Sequence, residues 1–305
     1  MYYVGVDGGG TKTTFSLFDE GLTRLDSLQG QTSHFAQAGI DGVARILLEG
    51  IDELVRRNGV EDYAVGYGLA GYGEDREVRE RIEDCARRAS RGHAYELVND
   101  GQSARAAALD LHDGIVLVAG TGSIGIGVRG AREERCGGWG YQVGDEGSGW
   151  WIGRRLLASF SRESDGRAPR SAVHDVVMRE LGLSKEYDIV GYAREVLAGD
   201  RTKTASLARL AAEAARLGDP EALGIYHDAA SELAQLARVL VDRMFADVSE
   251  PVRTTYVGGV FRVGDVVLEP LCQALPERCQ LVPPAREPDV GAVLLLRRSL
   301  GREVG

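Results

Sequence analysis

The sequence predicts two α/β domains of the same kind, and three observations carry this prediction. The chain has 305 residues, which exceeds the usual size of a single hydrophobic core. A run of three strands begins at residue 2, and a second run of three strands begins at residue 115. In each run a glycine-rich turn follows the first strand. Such a repeated start indicates duplicated α/β domains that face each other across a cleft.

The first half of the chain reads strand, strand, strand, helix, strand, helix, strand, helix. Its strands are short apolar runs bounded by glycine or polar residues, and its helices have apolar residues at helical spacing. The predicted strands are 2–6, 14–18, 22–28, 64–69 and one that ends at Val98, and the predicted helices are 40–57, 74–90 and 100–109.

The second half starts with the same three strands and then becomes mostly helical. Its predicted strands are 115–119, 124–129, 132–136, 254–257 and 279–282, the helical stretch covers 150–245, and a last helix begins at Pro288. We therefore expect an N-terminal domain over residues 1–111 and a C-terminal domain over 112–288 that carries a helical insertion. The last helix, 289–305, is expected to pack back on the N-terminal domain.

Composition argues against several classes of function. The 46 acidic residues outnumber the 36 Lys and Arg residues, and no basic block is long enough to follow a phosphate backbone, so nucleic acid is not an expected partner. The longest apolar runs, such as 115–119 and 290–296, are far too short to span a bilayer, so no membrane partner is expected. The four cysteines are too sparse for a disulfide scaffold and lack the paired spacing of a zinc site. A cytoplasmic protein with reduced thiols is expected.

The first glycine-rich turn, Asp7–Thr13, has the composition of a phosphate-binding loop. Its three glycines are expected to adopt positive φ and to let consecutive N–H groups approach anionic oxygens. Asp7, at the end of a strand, can hold the hydrated Mg²⁺ that accompanies nucleotide phosphates. The residues assigned to phosphate are Gly9, Gly10, Thr11, Lys12 and Thr13. An ordinary glycine hairpin is the alternative.

The second glycine-rich turn matches the spacing G-x-G-x-x-G at Gly120, Gly122 and Gly125. A dinucleotide-binding loop of that spacing opens a helix, whereas here small and apolar residues alternate and continue as a strand. We therefore interpret the turn as a second hairpin with Thr121 and backbone amides for phosphate, although a purely structural hairpin explains it equally well.

Asp100 is the candidate catalytic base. It lies at the end of a strand between Asn99 and Gly101, where a carboxylate can orient a substrate hydroxyl and accept its proton during phosphoryl transfer. By sequence alone Asp100 is equally well explained as the N-cap of the following helix.

A long signature over residues 136–153, C-G-G-W-G-Y-Q-V-G-D-E-G-S-G-W-W-I-G, suggests a sugar site. Carboxylates accept hydrogen bonds from hydroxyls, and an indole offers an apolar face to a sugar ring. The alternative is that the tryptophans are core residues and the acids cap a helix that begins near Ser148.

With its two hairpin loops, a later Gly258-Gly259 turn and this signature, the chain resembles the N-acetylglucosamine kinase branch of the sugar kinase, Hsp70 and actin superfamily. That branch also contains the benzoyl-CoA reductase ATPase-like proteins of the BadF/BadG/BcrA/BcrD type. The resemblance covers essentially the whole chain. It implies two duplicated actin-like (ribonuclease H-like) α/β domains, ATP and Mg²⁺ as cofactors, phosphorylation of a hexose or amino-sugar hydroxyl such as O6, and a homodimer.

The resemblance also assigns roles to individual residues. It implies Asp100 as the catalytic residue and Asp7 as the holder of Mg²⁺ through water. Outside the first turn it assigns to ATP the residues Gly120, Thr121, Gly122, Ser206 at the start of a helix, Gly258 and Gly259. It assigns to the sugar the residues Ser33, His34, Asp100, Ser123, Gly138, Trp139, Gly140 and Asp145.

Two departures from the animal enzymes of that branch concern the acetamido group. Those enzymes have Asn where this chain has Ser33, and Asn after the Thr-Gly-Ser of the second loop, where this chain has Ile124. The loss of two side-chain amides predicts weaker discrimination for the N-acetyl group.

Two other classes of protein share parts of this pattern with the sugar kinases. An ATPase activator of a radical acyl-CoA dehydratase or reductase would need cysteines that converge on an iron–sulfur cluster, yet Cys272 and Cys279 flank Pro276 rather than a glycine-rich cradle. A sugar-binding transcriptional regulator would bring a DNA-binding domain and a cysteine-rich zinc loop, and the sequence has neither.

Overall fold

The computed structural model describes residues 1–73 and 76–302 and divides the chain into two compact units. One unit comprises residues 1–112 and the chain from Pro284 onward, and the other comprises Asp113–Pro283. The predicted start of the second helix at Glu74 and the predicted end of the last helix at residue 305 lie outside the described residues.

The first unit begins with the predicted order of strands and helices. Its elements are β1 (Tyr2–Gly8), β2 (Lys12–Phe18), β3 (Arg24–Gln31), α1 (Phe35–Asn58), β4 (Tyr63–Leu69), α2 (Arg76–Ala89), β5 (Tyr95–Asn99) and α3 (Asp100–Leu109). Helix α1 starts five residues before the predicted position. Gly39, with φ 66° and ψ 164°, interrupts its first turns, and the regular periodicity therefore begins at residue 40.

The second unit repeats the three opening strands and inserts helices before the next strand. Its elements are β6 (Gly114–Ala119), β7 (Ser123–Arg129), β8 (Arg132–Gly137), α4 (Gly149–Ser164), α5 (Ala172–Glu180), α6 (Asp188–Tyr192), α7 (Arg201–Ser206), α8 (Ala208–Arg216), α9 (Pro220–Met244), β9 (Val252–Val257), α10 (Asp265–Ala274) and β10 (Cys279–Leu281). A π-helical turn follows α6, and a 3₁₀ turn over Gly259–Val263 follows β9.

The two sheets have the same topology, which confirms the predicted duplication. The strand order is β3-β2-β1-β4-β5 in the first unit and β8-β7-β6-β9-β10 in the second. In both, the three opening strands are antiparallel, and the remaining strands run parallel to the first. The carboxyl ends of parallel strands meet at one edge of a sheet, which is where ligands bind in α/β proteins. In the first unit this edge carries Asp7 and Asp100, and in the second it carries the turns after β6 and β9.

The last helix, α11 (Pro288–Ser299), packs on the sheet of the first unit. Glycine makes this close packing possible. A Cβ added at Gly66 of β4 would lie 2.5 Å from the carbonyl carbon of Ala292, and one added at Gly291 would lie 1.8 Å from the Ser103 carbonyl oxygen. The helix is therefore held against both β4 and α3.

Two further features bear on the expected class of protein. None of the helices within the described residues combines the length and apolarity needed to cross a bilayer. All four cysteines, Cys85, Cys136, Cys272 and Cys279, are free thiols.

Candidate active site

The β1–β2 turn presents unpaired backbone N–H groups on one side. The turn closes when the Gly9 N–H donates to the Lys12 carbonyl at 3.0 Å. Thr32 Oγ1 donates to the Gly9 carbonyl at 2.8 Å, and Gln37 Nε2 donates to the Gly10 carbonyl at 2.7 Å. No described residue accepts from the N–H of Gly10 or Thr11. Because neighbouring side chains hold the carbonyls, the amides are left for an anionic ligand.

The expectation of positive φ at the first three glycines was wrong. None of Gly8, Gly9 and Gly10 lies in the left-handed region. Position 8 requires glycine for steric reasons, because a Cβ there would lie 2.4 Å from Ser33 Oγ and 2.7 Å from Leu69 Cδ2. At Gly10 a Cβ would meet nothing within 4 Å, so neither packing nor conformation requires glycine there.

Two predicted ligand residues face the interior behind this turn rather than its open side. Thr13 is fully buried, and its Oγ1 accepts from the Ser33 N–H at 2.9 Å, so its hydroxyl positions the following loop and does not reach phosphate. Ser33 is 3% exposed, and its Oγ has no hydrogen-bond partner among the described residues. The assignment of the Thr13 hydroxyl to phosphate is therefore corrected.

His34 caps a helix. Its Nδ1 accepts from the Ala36 N–H at 3.3 Å, which makes it the N-cap of α1, and its ring stacks on Phe35. Its Nε2 is directed toward Gly71, where an added Cβ would lie 3.5 Å from it. The structure thus gives His34 a local structural role beside the loop.

Asp100 is the first residue of α3 and not its N-cap. The cap is Asn99, whose side chain accepts from the Gly101 N–H at 2.9 Å while Gln102 Oε1 accepts from the Asn99 N–H at 3.1 Å. The Asp100 Oδ1 also accepts from the Gly101 N–H at 2.9 Å, and the residue is partly exposed. Because Asn99 is the N-cap of α3, the N-cap role does not explain why residue 100 is an aspartate.

The carboxyl group of Asp7 is buried and lies within the electrostatic influence of two other acidic residues. Burial, together with the negative charges of Asp289 and Asp100 and against the opposing charge of Lys12, raises the pKa of Asp7 to about 6. Asp289 was missed by the sequence analysis. It is 4% exposed and accepts from Ser16 Oγ at 2.5 Å and from Arg24 at 2.8 Å. Its only sequence signal was an acid in the first turn of a helix that begins with proline.

The raised pKa of Asp7 predicts a pH-dependent cost in stability. A carboxyl group that ionises near pH 6 when folded and near 3.9 when unfolded contributes stability at low pH that is lost as the pH rises through 6. Asp7→Asn removes this titration. The stability of the variant relative to that of the wild type should therefore increase between about pH 4 and about pH 7. Above that range the difference should stay nearly constant. Melting temperatures without nucleotide or metal test this, and a constant difference across the range would contradict it.

The β6–β7 turn repeats the pattern of the first turn. The Gly120 N–H donates to the Gly122 carbonyl at 2.9 Å, and the amides of Gly149 and Trp150, at the start of α4, donate to the carbonyls of Gly120 and Thr121 at 2.8 and 3.4 Å. The N–H groups of Thr121 and Gly122 have no acceptor among the described residues. The hairpin interpretation is confirmed, because residues 114–119 pair antiparallel with 123–128.

The turn after β9 packs directly on this second glycine turn. Gly258 has φ 121°, and a Cβ on it would lie 2.2 Å from the Ala119 carbonyl oxygen. Gly259, in contrast, would meet nothing within 4 Å. The predicted phosphate loop and the predicted adenosine-site glycines are therefore neighbours within this unit.

Ser206 was predicted to start a helix, and this was wrong. It is the last residue of α7, it is exposed, and its Oγ donates to the Lys203 carbonyl at 2.6 Å. Helix α7 does lie against α4, because a Cβ added at Gly153 would be 2.2 Å from the Thr204 carbonyl oxygen.

The Gly-Trp-Gly segment forms an exposed turn. Gly138 and Gly140 have φ 70° and 84°, conformations that favour glycine. Trp139 between them is 68% exposed, with the Arg135 guanidinium 5.1 Å from its ring centroid. Trp150 and Trp151 are also only partly buried. The tryptophans are therefore not simply core residues.

Asp145 is a buried carboxylate without a donor. It is 5% exposed and has φ 64°, and its side chain accepts a hydrogen bond from no described residue. It does not cap the next helix, because Ser148 Oγ accepts from the Trp151 N–H at 3.2 Å. The other buried acids of the described chain, Glu163, Asp219 and Asp289, all accept hydrogen bonds. An unpaired buried carboxylate is costly, which makes Asp145 the strongest candidate for ligand contact.

The Asp145 carboxylate lies under Gly122 and lines a cavity of about 190 Å³. A Cβ at Gly122 would lie 2.6 Å from Asp145 Oδ2. Ser123 Oγ donates to the Glu146 carbonyl at 2.6 Å and so ties this loop to the second glycine turn. Besides Cys136, Leu236 and Val239, the residues that line the cavity are Ser123, Gly137, Gly138, Asp145, Glu146, Glu232 and Gln235. Glu232 and Gln235 of α9 were missed, because polar residues on a long amphipathic helix carry no sequence signal that distinguishes a cavity wall from a solvent-exposed face.

The residues present fit a nucleotide. Gly10, Gly120 and Gly259 have neither a left-handed φ nor any atom within 4 Å of an added Cβ. No contact or backbone conformation within residues 1–73 and 76–302 accounts for glycine at these three positions, whereas the close approach of a phosphate chain or a nucleoside would. Each of the two turns, considered within its own unit, has unpaired amides beside an open glycine and is suited to bind phosphate.

A duplicated sheet whose first hairpin carries such a turn defines the class of actin-like nucleotide-binding proteins. Residues 4–295 match the BadF/BadG/BcrA/BcrD ATPase family. The chain belongs to this family.

Characterised relatives match along most of the chain. An N-acetyl-D-glucosamine kinase of Dictyostelium discoideum is 26% identical and covers 97% of this chain and 98% of its own. An N-acetylmuramic acid/N-acetylglucosamine kinase of Clostridium acetobutylicum is 30% identical over 85% of both chains. A solved structure from Chromobacterium violaceum, provisionally assigned as an N-acetylglucosamine kinase, superposes with a TM-score of 0.73 at 29% identity and covers 97% of this chain and 98% of its own. The predicted family and fold class are confirmed.

Proposed function

We propose that the protein is an ATP-dependent sugar kinase that transfers the γ-phosphoryl group of ATP to a hydroxyl of an amino sugar or related hexose, with O6 as the acceptor. The proposal rests mainly on the environment of the Asp145 carboxylate. A buried carboxylate without an internal donor, beside a turn of unpaired amides, is suited to accept hydrogen bonds from sugar hydroxyls close to bound phosphate.

The first unit supplies the groups for phosphoryl transfer. Asp100, released from helix capping by Asn99, orients the acceptor hydroxyl and accepts its proton. Asp7 holds Mg²⁺ through water, and bound Mg²⁺ would neutralise charge on the ATP phosphates. Lys12 and the amides of Gly10 and Thr11 bind phosphate oxygens.

The second unit supplies the remaining contacts to both substrates. Thr121 and the Thr121 and Gly122 amides bind phosphate, while Gly258 and Gly259 allow the adenosine to approach the backbone. Ser123 holds the loop that carries Asp145, and Gly138, Trp139 and Gly140 form the turn beside the sugar. We also propose that the enzyme is a cytoplasmic homodimer.

The direct test is ADP release measured against a panel of hexoses and amino sugars, with the product identified by mass spectrometry. Sugar-dependent ADP release and a sugar monophosphate are expected. An ATPase that ignores sugars, together with bound iron, would instead support an activator of a radical acyl-CoA dehydratase or reductase. Cys272 lies in α10 and Cys279 in β10, so neither is held in the glycine-rich turn that the alternative would require.

The open glycines give a test of the nucleotide site that does not depend on the sugar. Gly10→Ala and Gly120→Ala should leave the melting temperature nearly unchanged, because an added Cβ meets no atom within 4 Å at either position. ATP affinity should nevertheless fall by about 10-fold, because the methyl group occupies space needed by phosphate. Calorimetric titration with an ATP analogue measures this. Gly224→Ala is the control, because Gly224 lies in α9 outside both turns and also has no left-handed φ and no atom within 4 Å of an added Cβ. Unchanged affinity in both test variants would count against the assigned phosphate site.

A further inference from the structure

All charged residues known to line the cavity below the second glycine turn are acidic. They are Asp145, Glu146 and Glu232, and no Lys, Arg or His of the described residues lines the cavity. An excess of carboxylates with no cation to balance them is unfavourable in a partly enclosed space. The cavity therefore has the charge of a site for a cation.

Two observations show that these carboxylates are not satisfied internally. Asp145 is 5% exposed, lines the cavity and accepts from no described residue. Glu232 accepts from Gln235 Nε2 at 3.2 Å, but burial raises the pKa of its carboxyl group, and the charges of Glu146 and Asp228 add to this effect. A bound cation would relieve the repulsion between Glu146 and Glu232 and give Asp145 its missing donor.

Hydrogen-bond donors are correspondingly scarce in the cavity. The Ser123 hydroxyl donates to the Glu146 carbonyl, and one of the two N–H groups of Gln235 Nε2 donates to Glu232. A carbonyl group placed here would face three carboxylates, and the side-chain donors left for it among the described lining residues are the second Gln235 N–H and the weak Cys136 thiol. The site is therefore rich in acceptors and poor in donors.

We propose that this cavity selects an amino sugar whose amine is a free ammonium group, in preference to its N-acetylated form and to the neutral hexose. The inference rests on the proposed sugar kinase activity. An ammonium offers three donors and a positive charge to Asp145, Glu146 and Glu232, whereas an acetamido group offers one N–H and a carbonyl oxygen that the carboxylates repel.

The experiment compares kcat/KM for glucosamine, N-acetylglucosamine and glucose in the wild type and in Glu232→Gln and Glu146→Gln, two variants that remove one charge each. Calorimetric binding of each sugar without ATP provides a second readout. Asp242→Asn is the matched control, because it removes one charge from the same helix, is exposed, and does not line the cavity.

The wild type should prefer glucosamine over both other sugars by at least about 10-fold, as a charge-assisted contact allows. Each test variant should lower the ratio of glucosamine to glucose by about 10-fold, while Asp242→Asn leaves it unchanged. A wild type that phosphorylates N-acetylglucosamine better than glucosamine, or ratios that do not change in either test variant, would overturn the inference and leave the kinase assignment intact. Absence of phosphorylation of any sugar would overturn the proposed function itself.

Discussion

Asp100→Asn should lower sugar-dependent ADP formation by about 10²- to 10⁴-fold, the usual cost of removing a general base. Asparagine has nearly the same shape but cannot accept the proton of the acceptor hydroxyl. Phosphoryl transfer would then depend on positioning and electrostatic stabilisation alone. Initial-rate kinetics with saturating sugar and ATP measure the loss, which should fall on kcat.

The structure separates a catalytic role for Asp100 from a structural one. Since Asn99 is the N-cap and Gln102 completes the capping box, Asp100→Asn should keep the melting temperature of the wild type. ATP affinity should also be retained, because Asp100 is assigned to the hydroxyl and not to the nucleotide. Turnover within a few-fold of the wild type, or loss of activity that follows loss of folding, would remove the catalytic assignment.

The fold was predictable because its signals are local. Strands β1, β2, β4, β6, β7 and β9 are six or seven residues long and contain several apolar residues each, and turn glycines mark where the hairpins reverse. The same local signals placed Asp7 at a strand end of the first sheet and Gly120–Gly122 at a strand end of the second, and parallel pairing brings the strand ends of each sheet to one edge of that sheet. Helix α11 was also visible from its Pro288-Asp289 start.

The details that were missed depend on contacts between distant segments. The Thr13 hydroxyl is turned toward the loop after β3, because it accepts a hydrogen bond from the Ser33 N–H in that loop. No sequence pattern within β2 predicts this contact. Glu232 and Gln235 lie on a helix that alternates charged and apolar residues. Only the packing of that helix beside the Asp145 loop distinguishes a cavity wall from a solvated face.

Gly8 and Gly10 illustrate the same limit in a single turn. The sequence gives both the same residue type, yet Gly8 is glycine because Ser33 and Leu69 pack against it, and Gly10 faces open space. Composition identified the turn correctly, but only the three-dimensional contacts separate the glycine needed for packing from the glycine left for a ligand.

Asp145→Asn should lower kcat/KM by about 10²-fold, because hydrogen bonds from sugar hydroxyls to a buried carboxylate are charge-assisted and stronger than those to an amide. The same change should raise the melting temperature. The carboxylate is 5% exposed and accepts from no described residue, so its desolvation is not offset in the free enzyme. Asparagine also tolerates the φ of 64° at this position, which keeps the turn unstrained.

Asp145→Asn is a specific test of a binding role, because the expected fall in kcat/KM and the expected rise in melting temperature have opposite signs. Asp289→Asn is the matched control, because Asp289 is equally buried but accepts from Ser16 and Arg24, and its loss should lower the melting temperature. A residue whose removal stabilises the protein and weakens the sugar reaction is one that the fold retains for its ligand. A fall in melting temperature for Asp145→Asn comparable to that for Asp289→Asn would instead mean that Asp145 is a structural carboxylate, and the sugar would have to be held by other residues of the cavity.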